Sequence, residues 1–528
     1  MPNGCGPHSL RRRQRCRCAG HKGPLSAGHL DESSCAYTFH PSLDTARQVR
    51  CGLLVVPQDR RDPTGPVVRV PYAVFKSPQP SALAPVVYLT GGPGQTWKES
   101  VPEVVASQSP GFAGGAKLLR DEIVIEQRGS AATTPALDQC EGPTWFPSEH
   151  ADWRDVLGAA VADVRACAAS VGEAGIRVAG FNSDELATDV ADLVRLLGYD
   201  KVVLNGVSYG TLWASAVLRD HPERVESAIL DSVVQQSQPA IASQMLGFQT
   251  ALQGADEACA KEPTLCGPVG LGLLARTEAL VQDLEARPVA WSAGPGGRFT
   301  SGAAVSILTT LLAFAPLSEL PAFVDFAELL VEGGLVLDVV PPSLTRSLLE
   351  VATLARPGDS LAHYLSITCA DNAAAKQAEM QAQLSKVRPA LQALAQAQLQ
   401  EAYDTFAAWP ARQDLPASSS APVRSSIPVL ILSGATDPLT PPAWAEEAAR
   451  TLNGATLVRL PLRGHSLQSG SVRCAPLRDA GVARSASAWP SAWRWRWLRR
   501  GGVWGFGGVR GRVLTLQTPP SRGLSRHP

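Results

Sequence analysis

Residues 201–218 read Lys201-Val-Val-Leu204-Asn-Gly206-Val-Ser208-Tyr-Gly210-Thr-Leu-Trp-Ala-Ser-Ala-Val-Leu218, and this stretch decides the fold. Lys201 to Leu204 is a short apolar run, which predicts a buried strand. Thr211 to Leu218 predicts a helix. Between them, Gly206-Val-Ser-Tyr-Gly210 fits a Gly-x-Ser-x-Gly turn. Backbone and side chains crowd such a bend, hence its glycines, and the bend lifts one hydroxyl above a sheet at the mouth of a helix. Ser208 is therefore the candidate nucleophile. A small-residue turn without chemistry has the same local pattern, so the rest of the chain must supply partners.

Upstream, Ala84 to Leu89 predicts a buried strand that runs into Thr90-Gly91-Gly92-Pro93-Gly94. A glycine loop at a strand end can turn bare backbone N–H groups toward a developing oxyanion. Gly92, with Tyr209 after the nucleophile, is the expected donor pair. The next strand, Ile123 to Ile125, ends in Glu126-Gln127-Arg128-Gly129-Ser130. That cluster reads as a loop holding its neighbours by hydrogen bonds, and no tight turn surrounds Ser130. Gln48 to Pro57 and Val67 to Phe75 flank a charged turn and predict an antiparallel hairpin at the leading edge of the sheet. Leu186, Val190, Leu193 and Leu197 recur at helical spacing, with Asn182 or Ser183 as cap and Gly198 as stop.

Downstream, Ser227 to Val233 predicts another strand. Residues 235–423 are rich in Ala and Leu, with helices expected from Pro239 to Gly254 or beyond, and over Leu271 to Ala286, Ser301 to Ala313, Leu320 to Leu330, Leu344 to Ala355 and Ala373 to Ala408. Strand pattern resumes at Ile427 to Leu432, which leads to Asp437. Ala455 to Leu460 leads to Gly464-His465. The expected architecture is α/β: a mostly parallel central sheet with a large helical cap inserted after the nucleophile half. The expected segments are 1–34 without fold, 35–234 and 424–480 as the two parts of the core, 235–423 as the cap, and 481–528 as an atypical tail.

A serine hydroxyl needs a base to take its proton, and an imidazole needs a carboxylate to fix its tautomer. Ser208, Asp437 and His465 each follow a predicted strand, which places all three at one edge of a parallel sheet. They are the expected nucleophile, acid and base. Asp231, at the end of the strand after Ser208, is a competing acid. His221, at the exit of the helix after Ser208, is a competing base. This chemistry calls for no metal or organic cofactor.

The 528 residues carry 48 basic and 48 acidic side chains, which argues against nucleic acid or an anionic membrane as the main partner. No apolar run approaches the length of a stable membrane span. Oligomeric state is not legible. Of eleven cysteines, three lie in the basic N-terminal stretch and eight are widely spaced, with no Cys-x-x-Cys zinc pattern. Two readings stand: disulfides in an oxidising compartment, or small buried hydrophobes in a cytoplasmic enzyme. Cys35 with Cys51, Cys140 with Cys167, and Cys259 with Cys266 are near enough in sequence to pair. Residues 1–30 are basic but have no apolar segment of a secretory leader. The tail 481–528 holds nine arginines, no acidic residue and five of the twelve tryptophans. It reads either as a basic, aromatic membrane or nucleic-acid contact, or as sequence from an altered frame.

Taken together, Cys51-Gly-Leu-Leu-Val-Val-Pro57, Gly91-Gly-Pro-Gly94, Glu126-Gln-Arg-Gly129, Gly206-Val-Ser-Tyr-Gly-Thr211, Thr368-Cys-Ala-Asp371, Asp437-Pro-Leu-Thr-Pro441 and Gly464-His465 make the chain resemble the alpha/beta-hydrolase superfamily. Within it, they resemble the proline-iminopeptidase and tripeptidyl-aminopeptidase-like serine peptidases, over about residues 35–480. The resemblance implies secretion or a cell-envelope location, and release of amino acids or short peptides, tripeptides included, from peptide substrates with a free N-terminus. It also implies a helical cap that holds the substrate amine. Three positions depart from the family pattern: Glu126 for an aspartate, Thr90 for a histidine, and Phe406 where a cysteine before Trp409-Pro410 would partner Cys369. No cap acid matches the amine-binding role; Asp256, Asp325 and Glu328 are unranked candidates. A carboxylesterase or lipase-like hydrolase on the same triad is the alternative, and a non-catalytic binding module the third reading.

Overall fold

The computed structural model describes residues 28–33, 35–39, 48–77, 81–97, 120–138, 140, 153–235, 240–266, 272–290, 298–333, 360–372, 377–412, 414–468 and 513–515. The strands are β1 (His29–Asp31), β2 (Val49–Pro57), β3 (Val67–Phe75), β4 (Val86–Leu89), β5 (Glu122–Ile125), β6 (Val202–Val207), β7 (Val225–Asp231), β8 (Val289–Ala290), β9 (Arg298–Phe299), β10 (Val429–Gly434), β11 (Ala455–Leu460) and β12 (Val513–Thr515). Ten of them form one sheet in the order β1-β2-β3-β5-β4-β6-β7-β10-β11-β12. β1, β2 and β3 are antiparallel, and β3 also pairs antiparallel with β5. Every later pairing within this sheet is parallel, and β8 and β9 form a separate antiparallel pair.

The parallel strands read as apolar runs because helices cover both faces of the sheet. Val87, Leu89, Ile123, Ile125, Val202 and Leu204 are all buried in one core with Leu186, Val190, Leu193, Trp213 and Val217. Those last five come from α2 (Ser183–Leu196) and α3 (Tyr209–Asp220), which follow α1 (Trp153–Glu173). Of the two candidate caps of α2, Asn182 takes the role: its backbone is extended and its side chain accepts the N–H of Glu185. Gly198 follows the helix at φ 85°, the left-handed stop that a glycine supplies.

Between β7 and β10 come α4 (Ala240–Lys261), α5 (Leu273–Ala286), α6 (Ser301–Phe314), α7 (Glu319–Val331), α8 (Leu361–Asp371), α9 (Gln377–Leu384) and α10 (Gln392–Ala408). This cap has its own core, in which Phe248, Leu252, Leu280, Leu308, Leu320 and Val324 pack together. A further cluster joins α1 to α8 and Trp409 through Val171, Leu365, Cys369 and Phe181. α11 (Pro442–Thr451) lies between β10 and β11. Mostly parallel sheet and inserted helical cap agree with the architecture expected from the sequence.

The differences have physical reasons. α8 was not anticipated: its short run lacks strong amphipathic periodicity, and nearly all of it is buried. The long helix expected up to Ala408 is broken at Pro389, which has no N–H and holds Arg388 extended at φ −60°, ψ 144°. The helix expected over 344–355 lies outside the described residues. β1 falls in the segment expected to have no fold, and β12 in the atypical tail. Each adds to an open strand edge, where unpaired backbone groups recruit a neighbour that local composition does not announce. Residues 1–27 and 34 of the N-terminal stretch, and the rest of the basic tail, lie outside the described residues.

Three disulfides join the pairs expected from sequence proximity, with Cα–Cα separations of 5.5, 5.7 and 5.6 Å for Cys35–Cys51, Cys140–Cys167 and Cys259–Cys266. Cys369 is a buried thiol, and Phe406 packs against its cluster in place of a partner sulfur. Among the described residues, no helix is long and apolar enough to cross a membrane.

Candidate active site

Ser208 stands between β6 and α3 at φ 55°, ψ −125°. A side-chain-bearing residue is rarely held there without a surrounding structure that enforces it. The glycines beside it supply the room. A Cβ on Gly206 would lie 2.3 Å from the Gly210 carbonyl oxygen, and one on Gly210 would lie 2.1 Å from that of Leu89. The bend is thus packed against itself and against β4. Ser208 donates its N–H to the Asp231 carbonyl at 2.9 Å, and its own carbonyl accepts from the Thr211 N–H at 2.8 Å. Tyr209 opens α3, where first-turn N–H groups have no acceptor within the helix.

The Gly91-Gly92-Pro93-Gly94 loop lies against Ser208: a Cβ on Gly91 would be 3.2 Å from the Ser208 Cβ. Its donors are allotted. Gly91 gives its N–H to Gln95 Oε1 at 3.1 Å, and Gly94 gives its own to Gln127 Oε1 at 3.0 Å. Pro93 has none. Gly92, at φ 105°, keeps an N–H with no acceptor among the described residues. Gln127 also donates through Nε2 to the Thr90 hydroxyl and the Gly91 carbonyl, each at 2.8 Å, so one amide clamps both ends of the loop. Glu126 extends Oε2 to the Trp97 N–H at 3.1 Å.

Asp437 lies in the turn after β10, and His465 in the loop after β11. Nδ1 of His465 meets Oδ2 of Asp437 at 2.9 Å. The same carboxylate accepts the Thr440 hydroxyl at 2.6 Å and the N–H groups of Leu439 and Thr440 at 2.9 and 3.0 Å. Burial opposes ionisation of Asp437, but His465 and these donors outweigh it and hold the carboxyl below its ordinary range. The cap reaches His465 directly. His465 donates its N–H to the Ala313 carbonyl at 2.7 Å, and its ring stands edge-on to Phe314 with centroids 5.8 Å apart.

The competing residues are engaged elsewhere. Asp231 turns its carboxylate to the backbone of residues 467 and 468, while Asp437 holds Nδ1 of His465. His221 lies at the far end of the 12-residue α3, with Nε2 3.2 Å from the Thr188 hydroxyl. That puts its backbone roughly 18 Å along the helix from Ser208. Ser130 is buried, with its hydroxyl 3.4 Å from Glu126 Oε2. In the cap, Asp256 accepts the Leu273 N–H at 2.8 Å, and Asp325 and Glu328 both bind Arg276, Glu328 at 2.9 Å.

The Glu126–Ser130 cluster, read from the sequence as a loop holding its neighbours by hydrogen bonds, does so through Gln127. Sequence reasoning missed Thr440, Phe314 and a chain of side chains behind Tyr209. Thr440 had a signal, since an aspartate three residues before a threonine is a side-chain turn motif. Phe314 had none. In the chain behind Tyr209, Ser183 donates its hydroxyl and N–H to Asp371, and the Tyr209 hydroxyl lies 2.7 Å from the Ser183 hydroxyl. Burial pushes the Asp371 carboxyl up to about 7. Burial also drives the neighbouring His363 imidazole down to about 4, with Nε2 3.0 Å from the Arg128 carbonyl.

Comparison with known families matches residues 84–264 to the alpha/beta hydrolase fold and residues 392–478 to a family described as TAP-like protein. The first match contains Ser208 and the glycine loop, the second Asp437 and His465. No curated protein matches the chain. Among solved structures, the chain is similar to an esterase from Thermogutta terrifontis with malate bound, at 15% identity and TM-score 0.29, covering 76% of this chain and 87% of that one. It is similar to the esterase EaEST from Exiguobacterium antarcticum at 13% identity and TM-score 0.32, covering 80% and 95%. It is also similar to Est816, described as an N-acyl homoserine lactone degrading enzyme, at 13% identity and TM-score 0.30, covering 75% and 90%. None of these three likenesses bears on the substrate.

Proposed function

We propose that this chain, an alpha/beta hydrolase by fold, is a serine hydrolase that cleaves carboxylic esters through an acyl-enzyme on Ser208. The observation that carries the reading is the buried Asp437–His465 pair, at 2.9 Å, on the same sheet edge as the constrained Ser208. In the proposed reaction His465 takes the proton of Ser208 through Nε2 as the hydroxyl attacks the carbonyl. Asp437 keeps the other proton on Nδ1 and stabilises the imidazolium. The N–H groups of Tyr209 and Gly92 receive the oxyanion. His465 then returns its proton to the leaving alcohol, and water attacks the acyl-enzyme by the same steps in reverse.

The ester reading is placed first because the three cap acids considered for binding a substrate amine are tied to Arg276 and to the start of α5. A second reading, removal of residues or short peptides from free N-termini, is favoured by the TAP-like match, which spans both Asp437 and His465. The three disulfides favour a secreted or cell-envelope protein over a cytoplasmic one.

The test is a panel of short acyl 4-nitrophenyl esters beside aminoacyl and tripeptidyl arylamides, with N-termini free and blocked. Ester turnover without arylamide turnover is the expected result. Preference for free-amine arylamides over their blocked forms would replace it with the peptidase reading. Ser208→Ala should abolish whichever activity is found, and full activity in that variant would remove Ser208 from the mechanism.

A further inference from the structure

We propose that Asp231 is a positioning residue that sets the spacing between nucleophile and base by holding the Ser208 turn and the His465 loop at once. The proposal rests on the serine-hydrolase reading above.

Asp231 is the last residue of β7 and is fully buried. It lies between Val207 of β6 and Leu432 of β10 in the sheet register. Its carbonyl accepts the Ser208 N–H at 2.9 Å. Its carboxylate accepts two N–H groups of the base loop, Leu467 at 3.0 Å and Gln468 at 2.7 Å. The next residue, Ser232, accepts the Ser466 N–H on its hydroxyl at 2.9 Å. Three successive backbone donors directly after His465 are therefore all received at the end of β7. Ser466 has φ 58°, so the loop curls and its N–H groups converge. Successive N–H groups turned to one side in this way make a concave anion site. Here the anion belongs to the chain itself.

The consequence for reactivity is geometric. Hydrogen bonds from backbone N–H to a carboxylate are short and charge-assisted. One residue thus fixes the nucleophile by its main chain and the base by its side chain, with no flexible linker between the two. The remaining groups set against His465 are the Asp437 carboxylate from the turn after β10, and the Ala313 carbonyl and Phe314 ring from the cap.

The experiment uses the full chain and a fluorophosphonate probe, which reports the reactivity of Ser208 whatever the natural substrate. Wild type, Asp231→Asn and Ser232→Gly are compared for labelling rate, for kcat and KM on a 4-nitrophenyl ester, and for folding by circular dichroism. Asp231→Asn should label roughly 10–100-fold more slowly, the size of loss expected when reacting groups move by about an ångström. Its kcat should fall with KM little changed. Ser232→Gly keeps a residue suited to the φ of 60° and loses only the hydroxyl, so it should label more slowly by a smaller factor. A folded Asp231→Asn with wild-type labelling rate and kcat overturns the proposal. Should that variant fail to fold, a wild-type labelling rate in Ser232→Gly overturns it. Absence of labelling at Ser208 in the wild type is a different result: it removes the serine-hydrolase reading itself.

Discussion

The hydroxyl of Thr440 donates to Oδ2 of Asp437 at 2.6 Å, the same oxygen that faces Nδ1 of His465 at 2.9 Å. That oxygen is shared by two donors, and Thr440 also lies 3.3 Å from Nδ1. The hydroxyl therefore orients the carboxylate that orients the imidazole. Thr440→Ala removes one bond to a charged acceptor while the backbone N–H of the same residue remains. The expected loss is about 10-fold in kcat, equivalent to about 1.4 kcal/mol. Thr440→Ser should restore most of it, whereas equal rates in the Ala and Ser variants would remove the hydroxyl from the argument.

Gln127 sets the shape of the glycine loop with one amide, through Gly94, Thr90 and Gly91. Gln127→Ala leaves these buried groups without partners, which costs roughly 1–3 kcal/mol for each group left unsatisfied. The loop then no longer has a single conformation for the Gly92 N–H. Both the melting temperature and kcat should fall, and the kcat loss should persist at low temperature, where the variant is fully folded. A lower melting temperature with unchanged kcat would limit Gln127 to a structural role.

Cys140–Cys167 closes the longest of the three disulfide loops, 27 residues, and joins the segment after β5 to α1. Cys167→Ala opens that loop and empties part of a buried position. The entropic part alone is about 3.5 kcal/mol for a loop of this size. Denaturant unfolding of the wild type under reducing and non-reducing conditions checks it: the two midpoints should differ in the wild type, and coincident midpoints would speak against the bonds.

How much of this was legible depended on the distance over which each constraint acts. The Ser208 turn could be read because its steric demands are local: Gly206 and Gly210 are needed by atoms 2.3 and 2.1 Å from where a side chain would begin. Asp437 and His465 could be read because each follows an apolar strand at a parallel edge. The part played by Asp231 could not, since the N–H groups it accepts lie 236 and 237 residues further along the chain. α8 was hidden for a related reason. Its residues are buried by both α1 and the core, so no polar face marks its period. β1 pairs with β2 through backbone atoms, which composition does not encode.

Asp371 links α8 of the cap to Ser183 of α2 and, through that hydroxyl, to Tyr209 beside Ser208. Burial raises its carboxyl from 3.8 to about 7, against the bonds from Ser183 that favour the anion. The folded state therefore holds this proton more tightly than the unfolded chain does. Its stabilising contribution is complete below the unfolded value of 3.8 and is lost as pH rises through about 7. Asp371→Asn keeps an acceptor for the Ser183 hydroxyl and cannot ionise. Subtracting the two melting curves cancels Glu122, also raised to about 7, and His363, because both proteins contain them. Relative to the wild type, Asp371→Asn should gain stability steadily between pH 4 and pH 7 and level off above it. A difference that stays constant across that window would show that Asp371 does not carry its proton into the fold.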